Sequence, residues 1–170
     1  AATAITAITV QNTLGVHGVY PLPLDLIAAQ ARAVLEDIGT DAFKTGMLGS
    51  VEVVETVAAL LDEADAPAVV DPVMVAKGGH SLLPRKAVDA VKSLMIPRAA
   101  LVTPNAPEAE ALTGIEVTDL DGQRRAAEAL LELGAAAALV KGGHLEGDTL
   151  IDVLLTPTGE TLLEGPRIDT

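Results

Sequence analysis

The 170-residue chain has no cysteine and no tryptophan, one tyrosine and one phenylalanine, and only 11 lysines and arginines against 24 acidic residues. Without cysteine, neither a disulfide framework nor a thiolate metal site can form within these residues, and a reducing compartment is permitted; the expected location is cytoplasmic. The net charge of −13 comes with no basic stripe and almost no aromatic rings to stack on bases, which argues against a nucleic-acid partner. No apolar run reaches the length of a membrane span, and no basic segment leads into a cleavable apolar one, so no membrane partner is expected. A small anion, if one binds, must be held by local amides, a few lysines and a divalent cation, because the overall field repels it.

What is present is apolar material for one core: 49% hydrophobic residues and a mean hydropathy of +0.41. Runs rich in Val, Ile and Ala at 1–10, 42–46, 67–71, 99–103 and 136–141 read as buried strands. Between them, 24–37, 50–64, 84–95 and 119–133 carry apolar residues at helical spacing. In 50–64, Val54, Val57, Ala58 and Leu61 share a face that Glu52, Glu55, Asp62 and Glu63 avoid. Ser50 suits the N-cap of that helix, and Asp119 or Thr118 that of the last one. Strand and helix alternating in this way predict an α/β fold with right-handed crossovers onto a mostly parallel sheet covered on both faces. After 141 the rhythm changes, and 149–155 and 160–164 flank the turn sequence TPTG, which predicts a late β-hairpin. The pattern over 1–170 is that of one domain. It begins inside an apolar strand and shows no helix between its last strands and Thr170, so it is expected to be incomplete at both ends.

In open α/β sheets ligands collect beyond the carboxyl ends of the strands. The residues there are QNT at 11–13, GML at 46–48, DPVMVAKGGH at 71–80, TPNAPEAE at 103–110 and KGGH at 141–144. No P-loop, GxGxxG, HExxH or GxSxG motif occurs, which leaves the commonest NTPase, dinucleotide and hydrolase readings unsupported. Asn105 and Glu108, three residues apart between and after two prolines, suit either a water-ligated Mg²⁺ with its phosphates or an ordinary helix start with a first-turn acid. Asp71 ends a Val-Val strand, where it either orients metal-bound water or forms an Asx turn. Lys141 with Gly142 and Gly143 offers a cation and two amides to a phosphate, although a tight turn explains the glycines equally well. Gln11 could read the edge of a neutral heterocycle and Met47 could lie against its ring, with core filling as the alternative for the methionine. The segment 77–80 reads as a lid or a solvated loop. His17, His80 and His144 have no ligand spacing.

The words VQNTLGVHGVY, KTGMLGS, VVDPVMVAKGGHSLL, LVTPNAPEAEALTG and ALVKGGH occur in this order, and with them the chain resembles the hydroxymethylpyrimidine/phosphomethylpyrimidine kinases of thiamine biosynthesis, in the ribokinase-like superfamily. The resemblance implies a three-layer αβα fold and ATP- and Mg²⁺-dependent phosphorylation of a pyrimidine hydroxymethyl group and then of the monophosphate. It places Gln11, Met47 and Val73 at the pyrimidine, Asn105, Glu108 and Lys141 at the nucleotide phosphates, and Asp71 and Glu108 near the metal through water. The family's glycine-rich first turn has no counterpart within these residues. Its N-T-H-G-T-G-C segment, with the anion-hole amides and catalytic base, is expected just beyond Thr170. No catalytic residue is therefore expected within the 170, which alone should be a poor catalyst. A pyridoxal kinase of the same superfamily and a non-catalytic nucleotide- or pyrimidine-binding module are the alternatives, and a homodimer is the assembly considered.

Overall fold

The structure, a computed structural model, describes residues 1–74, 84–145 and 149–168. Two sequence expectations lie outside the described residues. One is the segment 77–80, read as a lid or loop. The other is Thr170, the position after which the resemblance puts the anion hole and catalytic base.

Residues 1–10 are not the buried strand their composition predicts. β1 (Ala7–Asn12) pairs only with β2 (Gly15–Pro21), as an antiparallel ribbon separate from the main sheet. The cause is local. Asn12 Oδ1 accepts the backbone N–H groups of Leu14 and Gly15 at 2.9 and 3.1 Å, a side-chain turn that reverses the chain after two residues. The ribbon leaves Ile8, Val10, Leu14 and Tyr20 exposed, and it docks through Thr6, whose hydroxyl donates to the Met47 carbonyl at 2.8 Å.

The chain then runs through α1 (Leu24–Asp37), β3 (Phe43–Thr45), α2 (Val51–Ala64), β4 (Ala68–Val70), α3 (Arg85–Ala90), β5 (Ala99–Val102), α4 (Ala106–Thr113), α5 (Leu120–Glu132), β6 (Ala138–Val140), β7 (Thr149–Thr156) and β8 (Gly159–Pro166). Strands β3 to β6 pair parallel in chain order, and β7 and β8 extend the six-stranded sheet as an antiparallel hairpin. The α/β class, the mostly parallel sheet and the late hairpin are thus as the sequence predicts. Right-handed crossovers between consecutive parallel neighbours put their helices on one face, so among the described residues the sheet is not covered by helices on both faces as the alternation alone predicts. Burial agrees: Val70, Val102, Ala138, Val140 and Val153 on that face are sealed, whereas Val69, Leu101, Leu139 and Leu154, which alternate with them, are half-buried.

Helix boundaries follow their caps. Ser50 accepts from Val53 N at 3.3 Å and Asp119 from Gly122 N at 2.7 Å, so each helix starts one residue after its cap. α4 ends at Gly114, whose φ of 75° places it in the left-handed region where a side chain would be strained. The helix expected over 84–95 is α-helical only to Ala90. Val91–Met95 winds as a wider π turn and Ile96–Arg98 as a tight 3₁₀ turn, which together keep Val91, Met95 and Ile96 in the core, and Pro97, with no N–H, stops the ladder.

Where the sheet changes from parallel to antiparallel, the buried side chain of Gln123 spans the joint. Its Nε2 donates to the carbonyls of Val140 at 3.0 Å and Ile151 at 2.9 Å, one from each of β6 and β7. Replacing Gln123 by Leu leaves both carbonyls without this donor, and we expect the unfolding free energy from urea denaturation to drop by about 2 kcal/mol. An unchanged midpoint would mean that the amide does not hold the joint.

At the surface, Arg124 of α5 grips Glu160 of β8 with two bonds of 2.8 and 3.0 Å. Hydrogen bonding to Arg124 holds the Glu160 carboxyl below its usual range. Such a contact stabilises above the unfolded-state pKa and is lost as pH falls through the folded one. We therefore expect Arg124→Gln to flatten the fall in Tm between about pH 5 and pH 3, relative to the parent protein.

Candidate functional site

Strands β3, β4, β5 and β6 end side by side, and the residues that follow them form one crevice. Backbone bonds continue past the strands: Asp71 N donates to Thr45 O at 3.2 Å, Thr103 N to Val70 O at 3.0 Å and Lys141 N to Pro104 O at 2.8 Å. A last parallel bridge joins Asn105 to Lys141. These bonds bring Asp71, Asn105, Glu108 and Lys141 together, as the sequence predicts. Gln11 is not among them, because β1 lies outside the sheet. Four strand ends adjoin here, not the five expected.

Asp71 carries two cations. Lys44 Nζ approaches its Oδ2 at 3.0 Å and Lys141 Nζ its Oδ1 at 3.4 Å. Sequence reasoning missed Lys44. The available signal was a lysine inside a short strand between Phe43 and a buried Thr45, next to the strand that ends in an aspartate. Thr45, one residue on, is buried with no partner for its Oγ1 among the described residues, and it lines a cavity of about 10 Å³ beneath Asp71, Pro72 and Val73.

Asn105 and Glu108 form a complete capping box at the start of α4. Asn105 Oδ1 accepts from Glu108 N at 2.9 Å, and Glu108 Oε2 accepts from Asn105 N at 2.9 Å. Glu108 Oε1 also accepts from Met74 N at 3.4 Å, and the residue is only 5% exposed. The helix-start reading of this pair is therefore realised in full. A carboxylate oxygen accepts more than one bond, so the same oxygens retain capacity for a hydrated cation. Pro104 is buried and Pro107 sits in the first turn, where its missing N–H costs nothing.

The two glycines after β6 divide between roles. Gly142 N donates to Asp152 Oδ1 at 2.8 Å, so one of the two amides expected to face a phosphate is already taken by β7. A side chain at Gly142 would put its Cβ 2.1 Å from the Ile151 carbonyl oxygen, which explains the glycine by close approach. Gly143 has open space where a Cβ would sit.

The three residues expected at a pyrimidine ring do not share one cavity. Met47 lines a cleft of about 270 Å³ between the β1–β2 ribbon and the start of α2, with Thr6, Val19, Pro21 and Val53. Val73 lines the small cavity under Asp71. Gln11 is exposed on β1, beside a register shift between Val10 and Gln11, and lines neither.

A family model described as phosphomethylpyrimidine kinase matches residues 1–170. The chain belongs to that family. A hydroxymethylpyrimidine/phosphomethylpyrimidine kinase of Streptomyces coelicolor is 50% identical over 165 residues, which are 97% of this chain and 61% of the relative. The chain thus spans about three fifths of that relative's length. The crystal structure of phosphomethylpyrimidine kinase from Clostridium difficile 630 superposes with a TM-score of 0.85 at 41% identity, covering 94% of this chain and 69% of that one. A Bacillus subtilis pyridoxal kinase, solved as an ADP complex, superposes with a TM-score of 0.89 at 36% identity, covering 99% and 65%. The fold is therefore ribokinase-like, as the sequence resemblance implies.

The sequence resemblance implies Mg²⁺, and the donors present can be tested against that ion. Among the described residues no three His, Asp or Glu side chains gather as a metal cage. Asp71 and Glu108 are the acidic side chains of the crevice, each already oriented by protein donors. That set fits an ion that keeps most of its waters and leans on phosphates, and it does not fit a dedicated protein-only site. The capping pair can be separated from any metal role by a double-mutant cycle on stability. Asn105→Ala and Glu108→Ala should each cost about 1 kcal/mol, with a coupling of at least about 0.5 kcal/mol in the double variant. Strict additivity in urea unfolding would show that the two side chains do not cap as a unit.

Proposed function

We propose that the protein phosphorylates hydroxymethylpyrimidine and its monophosphate, using ATP and Mg²⁺, in thiamine biosynthesis. The observation that carries this reading is the meeting of Asp71, Asn105, Glu108 and Lys141 at adjoining parallel strand ends, in a chain that matches the phosphomethylpyrimidine kinase family from residue 1 to 170. Phosphoryl transfer is mostly positioning and charge stabilisation, and groups held this way suit it. In this proposal the Lys141 ammonium and the Asn105 amide lie beside the nucleotide phosphates. Asp71 and Glu108 would hold Mg²⁺ through water, and the ion would supply screening of the phosphates' negative charge. Met47, Val73 and Gln11 face the pyrimidine. For all three to do so, the β1–β2 ribbon, which lies outside the main sheet, must bring Gln11 toward the strand ends.

A second reading, phosphorylation of pyridoxal, is favoured by the TM-score of 0.89 with the Bacillus subtilis pyridoxal kinase. The VQNT and DPVMVAKGG words favour the pyrimidine. The proposal includes a cytoplasmic location, where ATP is supplied. It also includes pairing of two copies, which the exposed apolar side chains Ile8, Val10, Leu14 and Tyr20 of the ribbon would support.

Coupled ADP release by the full-length protein with ATP and Mg²⁺ tests the assignment. We expect turnover with hydroxymethylpyrimidine and its monophosphate and little with pyridoxal; the opposite pattern would establish the second reading. Glu108→Gln should cut Mg·ATP-dependent turnover by about tenfold or more while leaving the calorimetric affinity for hydroxymethylpyrimidine unchanged. Equal losses of both would make Glu108 purely structural.

A further inference from the structure

The geometry points to Lys44 as a phosphate-binding residue of this crevice, sharing a phosphoryl oxyanion with Lys141 and kept in place before binding by their common counter-ion Asp71. The inference rests on the kinase reading and adds to it a residue to which no role has been assigned.

Three observations carry it. Lys44 and Lys141 come from strands separated by β4 and β5, yet their ammonium groups lie on the two oxygens of one carboxylate, at 3.0 and 3.4 Å. One Asp71 cannot neutralise both, so these three side chains together carry one positive charge, in a crevice that also holds the Glu108 carboxylate. An ammonium has three donors, and the contact with Asp71 uses one on each lysine, which leaves donors free to meet a group with several terminal oxygens.

The side chain of Lys44 is also aimed. It reaches toward the carboxyl end of β3, where Nζ lies 3.7 Å from where a Cβ of Gly46 would sit, and Gly46 leaves it room at the strand end. A merely structural role explains this poorly. The Lys44–Asp71 pair joins β3 to β4, which are already hydrogen-bonded to each other, and the Lys44 side chain is 60% exposed, where an ion pair adds little to stability.

The phosphoryl group could be the terminal phosphate of the nucleotide or the phosphate of the phosphorylated pyrimidine, and kinetics on the full-length protein separates the two. With Lys44→Gln, we expect KM to rise about tenfold for Mg·ATP, for phosphomethylpyrimidine, or for both, with KM for hydroxymethylpyrimidine within about twofold of the parent and Lys44→Arg recovering most of the loss. A rise for Mg·ATP alone identifies the nucleotide, and a rise for phosphomethylpyrimidine alone identifies the substrate phosphate. Shifts below about threefold for both phosphate-bearing ligands, or an equal shift for hydroxymethylpyrimidine, overturn the assignment. If the parent protein shows no turnover, it is the kinase reading that fails, and calorimetric titration with inorganic pyrophosphate then decides the Lys44 assignment. Weaker binding to Lys44→Gln supports it, and unchanged binding overturns it. Lys44→Met, which keeps the apolar stem, replaces Lys44→Gln in each assay if the latter lowers Tm.

Discussion

Four parallel strands that end on one edge cannot satisfy all their terminal polar groups within the sheet, and the crevice of this protein is organised by how those groups are satisfied. Asp71 N, Thr103 N and Lys141 N each find a carbonyl on the neighbouring strand end, which extends the ladder a step beyond the strands proper. The side chains that follow are thereby fixed in mutual register before any ligand is considered. Asn105 and Lys141 face each other because β5 and β6 run parallel, and Asp71 lies between Lys44 and Lys141 because β4 lies between β3 and β5. The site is a consequence of strand order.

Structural and chemical roles are not separable at these positions. The Glu108 carboxylate is held by two backbone groups, Asn105 N at its helix N-terminus and Met74 N. A carboxylate held so firmly loses little further freedom when a ligand arrives, which is the advantage of preorganised groups. The same logic acts on the turn after β6. Asp152 takes the Gly142 amide and Gln123 ties the carbonyls of Val140 and Ile151, so Lys141 projects from a turn fixed by β7 and α5. The cost is an amide lost to ligand binding, and it falls on Gly142 because that backbone passes too close to Ile151 to turn outward.

How much of this could be read from the sequence depends on the range of the forces involved. The long helices were legible to within a residue, because apolar spacing and the side-chain caps Ser50 and Asp119 are local signals. The NxxE element was legible too, but its two explanations coincide in space: the capping box and the crevice use the same two side chains. The ribbon at 7–21 was misread because an Ile/Thr alternation looks alike whether a strand is central or pairs only with its neighbour; the deciding feature was the Asn12 side-chain turn. The π turn at Val91–Met95 answers to tertiary packing around Met95 and Ile96, to which periodicity is blind. Lys44 was missed for the same reason. Its partner is 27 residues away and meets it only through strand pairing.

Charge then constrains how the crevice can work. At physiological ionic strength the field of exposed charges decays over about 8 Å, so the excess of 13 negative charges discourages anions in general without dictating what happens inside one crevice. Attraction has to arise within that length, and two ammonium groups on one carboxylate supply it. Like charges this close would separate if left alone. Asp71 keeps them together while giving up neither oxygen entirely, so an arriving oxyanion meets cations already assembled and does not have to gather them. If the crevice takes a phosphate as proposed, the aspartate serves the anion through the lysines as much as it serves any cation directly, which would account for an acidic residue at its centre.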